Sequence, residues 1–186
     1  MKLALSLTFF FSLFSFSVAQ DKPLWLRYPA ISPDGQSAWV PSKQDNIRRG
    51  MRRDGLELNF QNSVRSISSR VDLVTSAEDY PRRIDHDNSG VASAITFDRL
   101  GVYLFVALES SRQVAVVDAH AGYEIGRISV GRAPQGLAVS ASGDRLYVNN
   151  FMERTISVFD LTPLQTEGIA GLPLIASVAT LATDKL

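Results

Sequence analysis

The stretch APQGLAVSASGDRLYVNNFMERTISVFD, residues 133–160, decides the fold of this 186-residue chain. Its short β-prone runs RLYVNN (145–150) and TISVFD (155–160) alternate apolar and other residues, as strands with two different faces do. Gly143 lies where a tight hairpin turn commonly needs a positive φ. Asp160 ends the third run, where its carboxylate can accept hydrogen bonds from the next turn. The stretch therefore predicts a three-stranded β-meander.

The same pattern occurs earlier in the chain, in ASAITFDRLGVYLFVALESSRQVAVVD, residues 92–118. The two stretches align without a gap, and residues of the same kind coincide throughout. The coinciding pairs are Gly101 and Gly143, Leu104 and Leu146, Phe105 and Tyr147, Val106 and Val148, Arg112 and Arg154, Val114 and Ile156, Val116 and Val158, and Asp118 and Asp160. Chance does not explain so many matches in register, so the meander is one copy of a repeat whose period is the step from Gly101 to Gly143.

A third, weaker copy lies upstream in YPAISPDGQSAWVPSKQDN, residues 28–46. Its Pro-Asp-Gly turn ends at Gly35, and Trp39 stands at the aromatic position of the later copies. Gly35 lies further from Gly101 than Gly101 lies from Gly143, so this copy contains an insertion. We place the insertion at residues 48–60 and the third strand of this copy at residues 63–73.

A fourth strand is predicted after the second copy, at residues 123–131, and another after the third, at residues 174–180. Four strands per unit and a period near 42 are the signature of a propeller blade. An open sheet or small sandwich of three meanders has no reason to repeat the same residues in register. We predict an all-β fold, a partial β-propeller of about three four-stranded blades: blade 1 at 24–90, blade 2 at 91–132 and blade 3 at 133–186.

The runs RLYVNN and TISVFDL resemble the YVTN family of β-propeller repeats. The matching residues are Pro134, Gly136, Leu137, Ala138, Ser140, Gly143, Leu146, Tyr147, Val148, Asn150, Thr155, Ile156, Ser157, Val158 and Asp160. Ala141 and Ser142 replace the usual Pro-Asp pair of the family and still leave a turn. The resemblance covers residues 28–180; it implies the propeller fold and says little about function.

A narrower resemblance concerns the order of PSKQDNIRRGMRRDG, NSVRSISSRVDL and the opening stretch along the chain. This order is similar to the exported propeller region that precedes a di-haem cytochrome c peroxidase-like domain in some large bacterial proteins. The resemblance implies haem in a downstream domain that carries Cys-x-x-Cys-His sites. The chain has no cysteine, so no haem-binding residue can be carried over to it and we predict no cofactor site within it.

The N-terminus has the layout of a secretory signal peptide. Met1 and Lys2 precede an apolar run at residues 3–16, and a small-x-small cleavage site ends at Ala19. A membrane anchor is the alternative, but the run is shorter than the roughly 20 residues that a spanning helix needs. We predict a signal peptide at residues 1–19, propeller blades over residues 20–186, a secreted or periplasmic protein, and no membrane association after cleavage.

Charge gives little indication of the partner, because 19 basic residues balance 19 acidic ones. The densest basic cluster is RRGMRRDG, in which Arg48, Arg49, Arg52 and Arg53 are candidates for contact with an acidic partner surface or an anionic ligand. A solvated hairpin is the alternative interpretation. Nucleic acid is disfavoured because the chain is predicted to be exported and the cluster lacks interleaved aromatic residues.

Two other patterns are candidate sites. DHDNSG, residues 85–90, opens like a calcium loop, but Thr96 stands where such a loop needs a bidentate glutamate, and a polar connection between blades is favoured. His86 and His120, the only histidines, lie beside aspartates and predicted turns. They are interpreted as solvated loop residues, with ligation of a metal or haem as the alternative. We predict no metal site.

Trp39, Phe105 and Tyr147 occupy one equivalent position in the three copies, which favours core packing between blades over ligand stacking. Propellers typically close with four to eight blades, because closure protects blade faces and edges. Three blades alone would leave an apolar face at each end of the row. We therefore expect an incomplete ring that forms the N-terminal part of a longer protein.

No catalytic residue is recognised, and whether the whole protein is an enzyme stays open. The first hypothesis is a propeller scaffold that binds a protein or small ligand, with the remaining blades or a redox domain in the same polypeptide. The alternative is the propeller portion of a periplasmic haem (cytochrome c peroxidase-like) or quinone-linked oxidoreductase whose catalytic domain lies downstream.

Overall fold

A computed structural model of the chain describes residues 23–26, 29–45, 64–168 and 172–180, where the regular structure is almost entirely β. Two short 3₁₀ helices, Tyr80–Arg82 and Thr162–Gln165, interrupt the strands. The strands in these ranges are β1 Pro23–Leu26, β2 Ala30–Ile31, β3 Ser37–Asp45, β4 Val64–Asp72, β5 Ala77–Glu78, β6 Ile84–His86, β7 Ala92–Phe97, β8 Tyr103–Leu108, β9 Gln113–Asp118, β10 Tyr123–Ser129, β11 Pro134–Val139, β12 Arg145–Asn150, β13 Thr155–Asp160 and β14 Leu174–Ala179.

The strands form three antiparallel sheets, one for each predicted blade. Blade 2 has the order β10-β9-β8-β7, and blade 3 has the order β11-β12-β13-β14. The first three strands of blade 3 each begin one full period after their counterparts in blade 2. The fourth begins later, because the 3₁₀ helix Thr162–Gln165 precedes it. The predicted all-β partial propeller with a period near 42 is confirmed.

Blade 1 is a four-stranded blade whose two outer strands are each split in two. β1 and β2 both pair with one edge of β3, while β5 and β6 both pair with the free edge of β4. The third strand expected at residues 63–73 is present as β4. The predicted insertion at residues 48–60 lies outside the described residues. It connects two strand ends that pair directly, Asp45 with Val64.

The apolar cores lie between the blades, because each sheet has two apolar faces. Between blades 1 and 2, Trp39 and Ile84 pack with Leu104, Val106 and Val117. Between blades 2 and 3, the core comprises Phe105, Val114, Val116, Ile128, Leu146, Val148, Phe159, Leu161, Leu164 and Leu172. Burying one such side chain contributes about 1.5–3 kcal/mol, so face-to-face packing holds the blades together.

Two local predictions at the turns are confirmed. Gly101 and Gly143 have φ values of 75° and 83°. The aspartates that end the third strands accept backbone hydrogen bonds from the following turn. Asp118 Oδ1 accepts from Ala121 N at 2.7 Å, and Asp160 Oδ1 accepts from Thr162 N at 2.9 Å. The repeat thus specifies two turns in each of blades 2 and 3: the turn before the second strand and the turn after the third strand.

Candidate functional site

Blade 3 exposes an apolar face that repeats a buried face of blade 2. Tyr147 pairs with Val158 across β12 and β13, and Asn149 pairs with Ile156, so their side chains share one face. On the same face, Val178 of β14 pairs with Ile156. We call Tyr147, Ile156, Val158 and Val178 the free face. It is turned away from blade 2, because Leu146 and Val148 on the opposite face pack into the core between blades 2 and 3.

The counterparts of this face in blade 2 are buried. Phe105 is the counterpart of Tyr147; Phe105 is 0% exposed, whereas Tyr147 is 39% exposed. The expectation that all three equivalent aromatic residues pack between blades is therefore correct for Trp39 and Phe105 and wrong for Tyr147. The physical reason is that no described residue supplies a blade to cover Tyr147.

The other end of the row differs. Ala38, Val40, Ile67 and Val71 alternate with residues that face blade 2, so they lie on the opposite face of blade 1. All four side chains are buried. The expected exposure of an apolar face at both ends is thus observed at blade 3 alone among the described residues.

A second feature is a buried polar cluster between blades 1 and 2. His86 Nε2 lies 2.9 Å from Ser68 Oγ within blade 1, and His86 Nδ1 lies 3.1 Å from Glu124 Oε2 of blade 2. A carboxylate partner favours the tautomer in which Nδ1–H donates to Glu124 and Nε2 accepts from the Ser68 hydroxyl. Burial raises the pKa of Glu124, but hydrogen bonds from His86 and Arg127 outweigh it and hold that pKa below its usual value.

A β-bulge in β10 places both Glu124 and Arg127 on the side of blade 1. The register shifts between Glu124 and Gly126, so Ile125 is the extra residue of the bulge. Three residues apart in a regular strand, Glu124 and Arg127 would face opposite sides. Here Arg127 Nε donates to Glu124 Oε1 at 2.5 Å. The bulge therefore completes the cluster.

The segment considered as a calcium loop is held by arginines. Asp85 accepts from Arg65 at 2.6 Å, with both side chains buried, and Asp87 accepts from Arg65 at 3.3 Å. Arg127 of blade 2 donates to the Asp87 carbonyl at 3.0 Å and to Ser89 Oγ at 3.1 Å. These contacts make the segment a polar connection between blades, in agreement with the favoured interpretation. Within the described ranges, no group of three or more acidic, histidine or cysteine side chains could hold a metal ion.

Ser68, His86 and Glu124 have the connectivity of a hydrolase triad without access for a substrate. Ser68 is 0% exposed and His86 is 2% exposed, so an acyl group cannot reach the hydroxyl. The arrangement joins two blades instead. The interpretation of His86 as a solvated loop residue is wrong, because His86 lies on β6, which pairs with β4. His120 is exposed, as expected. Glu124 lies 38 residues beyond His86, and no sequence pattern links the two.

The candidate contact residues Arg48, Arg49, Arg52 and Arg53 lie outside the described residues. The strand order nevertheless shows at which end of blade 1 the segment that contains these arginines is attached. The β3–β4 connection corresponds to the β8–β9 and β12–β13 turns, since each joins the second and third strands of a blade. In the described part of the chain, no helix is long and apolar enough to cross a bilayer.

Several solved structures share this fold. Hydrazine synthase from Kuenenia stuttgartiensis superposes with a TM-score of 0.63 and 14% identity, over 78% of this chain and 47% of that one. The RRP9 WD40 repeats give a TM-score of 0.57 and 11% identity, over 86% and 41%. The β-propeller domain of Cps50 (Swd1) from Myceliophteria thermophila gives 0.51 and 16%, over 82% and 58%.

The chain spans about half the length of these structures. No protein-family model matches the sequence, and no curated protein sequence matches it significantly. Identities this low establish the architecture alone. Together with the three sheets, their face-to-face cores and the repeat register, they show that the chain has a partial β-propeller fold.

Proposed function

We propose that the chain is an exported, YVTN-like propeller segment that acts as a binding scaffold within a larger ring. The main observation behind this proposal is the free face of blade 3. It repeats, one period further along the chain, the blade 2 face that blade 3 covers. The natural occupant of such a face is another blade, which we place in the same polypeptide.

Physical chemistry supports this occupant. Covering a Tyr, Ile or Val side chain on a blade contributes about 1.5–3 kcal/mol when burial is complete. Contiguous exposed apolar faces mark interaction sites or aggregation liabilities in soluble proteins. Similar structures roughly twice the length of this chain have room for further blades.

The test uses residues 20–186, expressed without the predicted signal peptide. We expect concentration-dependent self-association in sedimentation velocity and strong binding of an apolar dye, because the free face lacks its blade. The double variant Tyr147→Ser, Val158→Ser should bind less dye and self-associate less than the wild type. Tyr123→Ser is the matched control, since this exposed tyrosine lies on blade 2, outside the free face. A wild-type monomer with a cooperative melt and no dye binding would contradict the proposal.

The second candidate is the propeller portion of a haem or quinone-linked oxidoreductase with a downstream catalytic domain. A similar fold occurs in a protein named hydrazine synthase, which is an enzyme. The coding sequence beyond codon 186 distinguishes the candidates. Encoded Cys-x-x-Cys-His sites, with haem absorbance in the purified full-length protein, would support the oxidoreductase. Further blades followed directly by a stop codon would support the scaffold.

A further inference from the structure

The β12–β13 turn, residues 151–154, exposes two large apolar side chains. Phe151 is 60% exposed and Met152 is 63% exposed. Backbone hydrogen bonds close the turn, with Glu153 N donating to Asn150 O at 3.1 Å and Arg154 N donating to Phe151 O at 3.3 Å. The counterpart turn of blade 2 is Glu-Ser-Ser-Arg, residues 109–112. A polar sequence therefore suffices for this turn, and folding does not require the Phe-Met pair.

Arginine occupies a backbone conformation in this turn that disfavours it. Arg154 has a φ of 55°, and its counterpart Arg112 has a φ of 54°. Glycine, asparagine and aspartate adopt this region more readily than arginine does. Both arginines are exposed, and neither forms an ion pair among the described residues. Their guanidinium groups are available to a partner.

Arg132 extends the same surface. Its carbonyl accepts a hydrogen bond from Met152 N at 3.3 Å, and its guanidinium lies 3.9 Å from Glu153, at the limit of an ion pair. We call Arg132, Phe151, Met152 and Arg154 the turn surface. Phe, Met and Arg are the residue types enriched at protein interfaces, and two arginines against one glutamate leave the turn surface positive.

A further blade on the free face would leave Met152 and Arg154 of this surface accessible. Blade 2 has a blade on each side, yet Ser110 and Arg112 stay exposed. Met152 and Arg154 are their counterparts in blade 3. The turn surface also lies at the end of the blades from which the β3–β4 connection leaves, because Asp45 and Val64 are paired there.

We propose that the turn surface docks an acidic protein segment that carries an apolar side chain. Phe151 and Met152 cover the apolar side chain, while Arg132 and Arg154 pair with its flanking carboxylates. This inference rests on the proposed scaffold function and names the chemistry of its partner. It does not depend on what covers the free face.

Fluorescence anisotropy with residues 20–186 tests the docking. The probes are a labelled twelve-residue peptide of repeated Glu-Glu-Leu, a Ser-Ser-Leu peptide of equal length, and phosphatidylglycerol vesicles. We expect the acidic peptide to bind more tightly than the serine peptide, with an affinity that falls as salt rises. Arg154→Asn and the double variant Phe151→Ser, Met152→Ser should each weaken binding about tenfold.

Arg112→Asn is the matched control, because asparagine tolerates the same backbone conformation and residue 112 has no exposed apolar neighbour in its turn. Its affinity should stay within about twofold of wild type. Equal losses in the two asparagine variants would overturn the proposal, as would no binding of the acidic peptide. Binding to the vesicles but not to the peptide would assign the turn surface to a membrane instead. Unchanged melting temperatures in all variants keep these outcomes separate from misfolding.

Discussion

At the scale of single residues, Glu124 links two blades through one carboxylate. It accepts from His86 of blade 1 with one oxygen and from Arg127 of its own strand mainly with the other. A half-buried carboxylate in this position depends on those donors, because desolvation alone would favour its protonated form. The contact between blades 1 and 2 is thus partly electrostatic.

We predict that Glu124 makes stability depend on acid pH. Its pKa in the folded protein lies below the usual value of 4.5. The stabilisation is therefore fully present above that value and is lost as pH falls through the lower folded pKa. Glu124→Gln should cost about 1–3 kcal/mol at neutral pH. The difference in melting temperature between wild type and Glu124→Gln should shrink as the pH falls below 4.5.

Glu167→Gln is the control for this measurement, because Glu167 is exposed near the 3₁₀ helix Thr162–Gln165. Its melting temperature should follow the wild type across the whole pH range. A difference between wild type and Glu124→Gln that stayed constant from neutral pH down to the acid unfolding of the protein would show that the Glu124 carboxylate is not the titrating link.

Sequence predicts residues well where the cause is local. Gly143 and Asp160 follow from turn geometry and from hydrogen bonds to the next few residues, and the structure places both as expected. His86 depends on Ser68 and Glu124, which lie 18 and 38 residues away. Nothing adjacent to the histidine signals those partners, so the sequence does not predict its burial.

At the scale of elements, the hairpin turns stack from one blade to the next. A Cβ added to Gly101 of blade 2 would lie 2.9 Å from Cδ of Pro33 in blade 1. A Cβ added to Gly143 of blade 3 would lie 3.1 Å from Cβ of Arg99 in blade 2. The glycine of each turn therefore meets the neighbouring blade as well as supplying a positive φ.

Two glycine variants should separate these roles. Gly35 has a φ of 70° and no atom within 4 Å of an added Cβ, so Gly35→Ala should cost about 1–2 kcal/mol from the backbone alone. Gly101→Ala adds a clash with a rigid proline ring and should cost more. Urea unfolding of both variants measures the difference. Equal losses of unfolding free energy in the two variants would mean that the stacked turns can move apart without an energetic penalty.

The bulge of β10 is a feature that the alternation of residues in the sequence does not predict. A strand is expected at residues 123–131, and β10 covers Tyr123–Ser129. Strict alternation would place Arg127 on the face opposite to Glu124. The extra residue Ile125 shifts the alternation by one, so both side chains lie on the same face. Gly126 within the strand is the available signal, since an isolated glycine often accompanies a bulge.

At the scale of the whole molecule, the fold is predicted from the sequence repeat. The first three strands of blades 2 and 3 differ by a constant offset, so one three-stranded meander specifies the other. Blade 1 follows the same plan with both outer strands split, a departure that its weak repeat does not reveal. The turn surface is also hidden in the sequence, because Phe151 and Met152 look like ordinary apolar residues until their exposure is known.

The direct pairing of Asp45 with Val64 has a consequence for how such a protein acquires specificity. Because this pairing holds both ends of the segment between them, we expect that another segment can replace it without a change in the register of β3 and β4. Lengthening a loop costs entropy that grows only with the logarithm of its length. The β3–β4 junction is therefore a natural grafting point, where evolution or a protein engineer can install a new recognition loop on an unchanged frame.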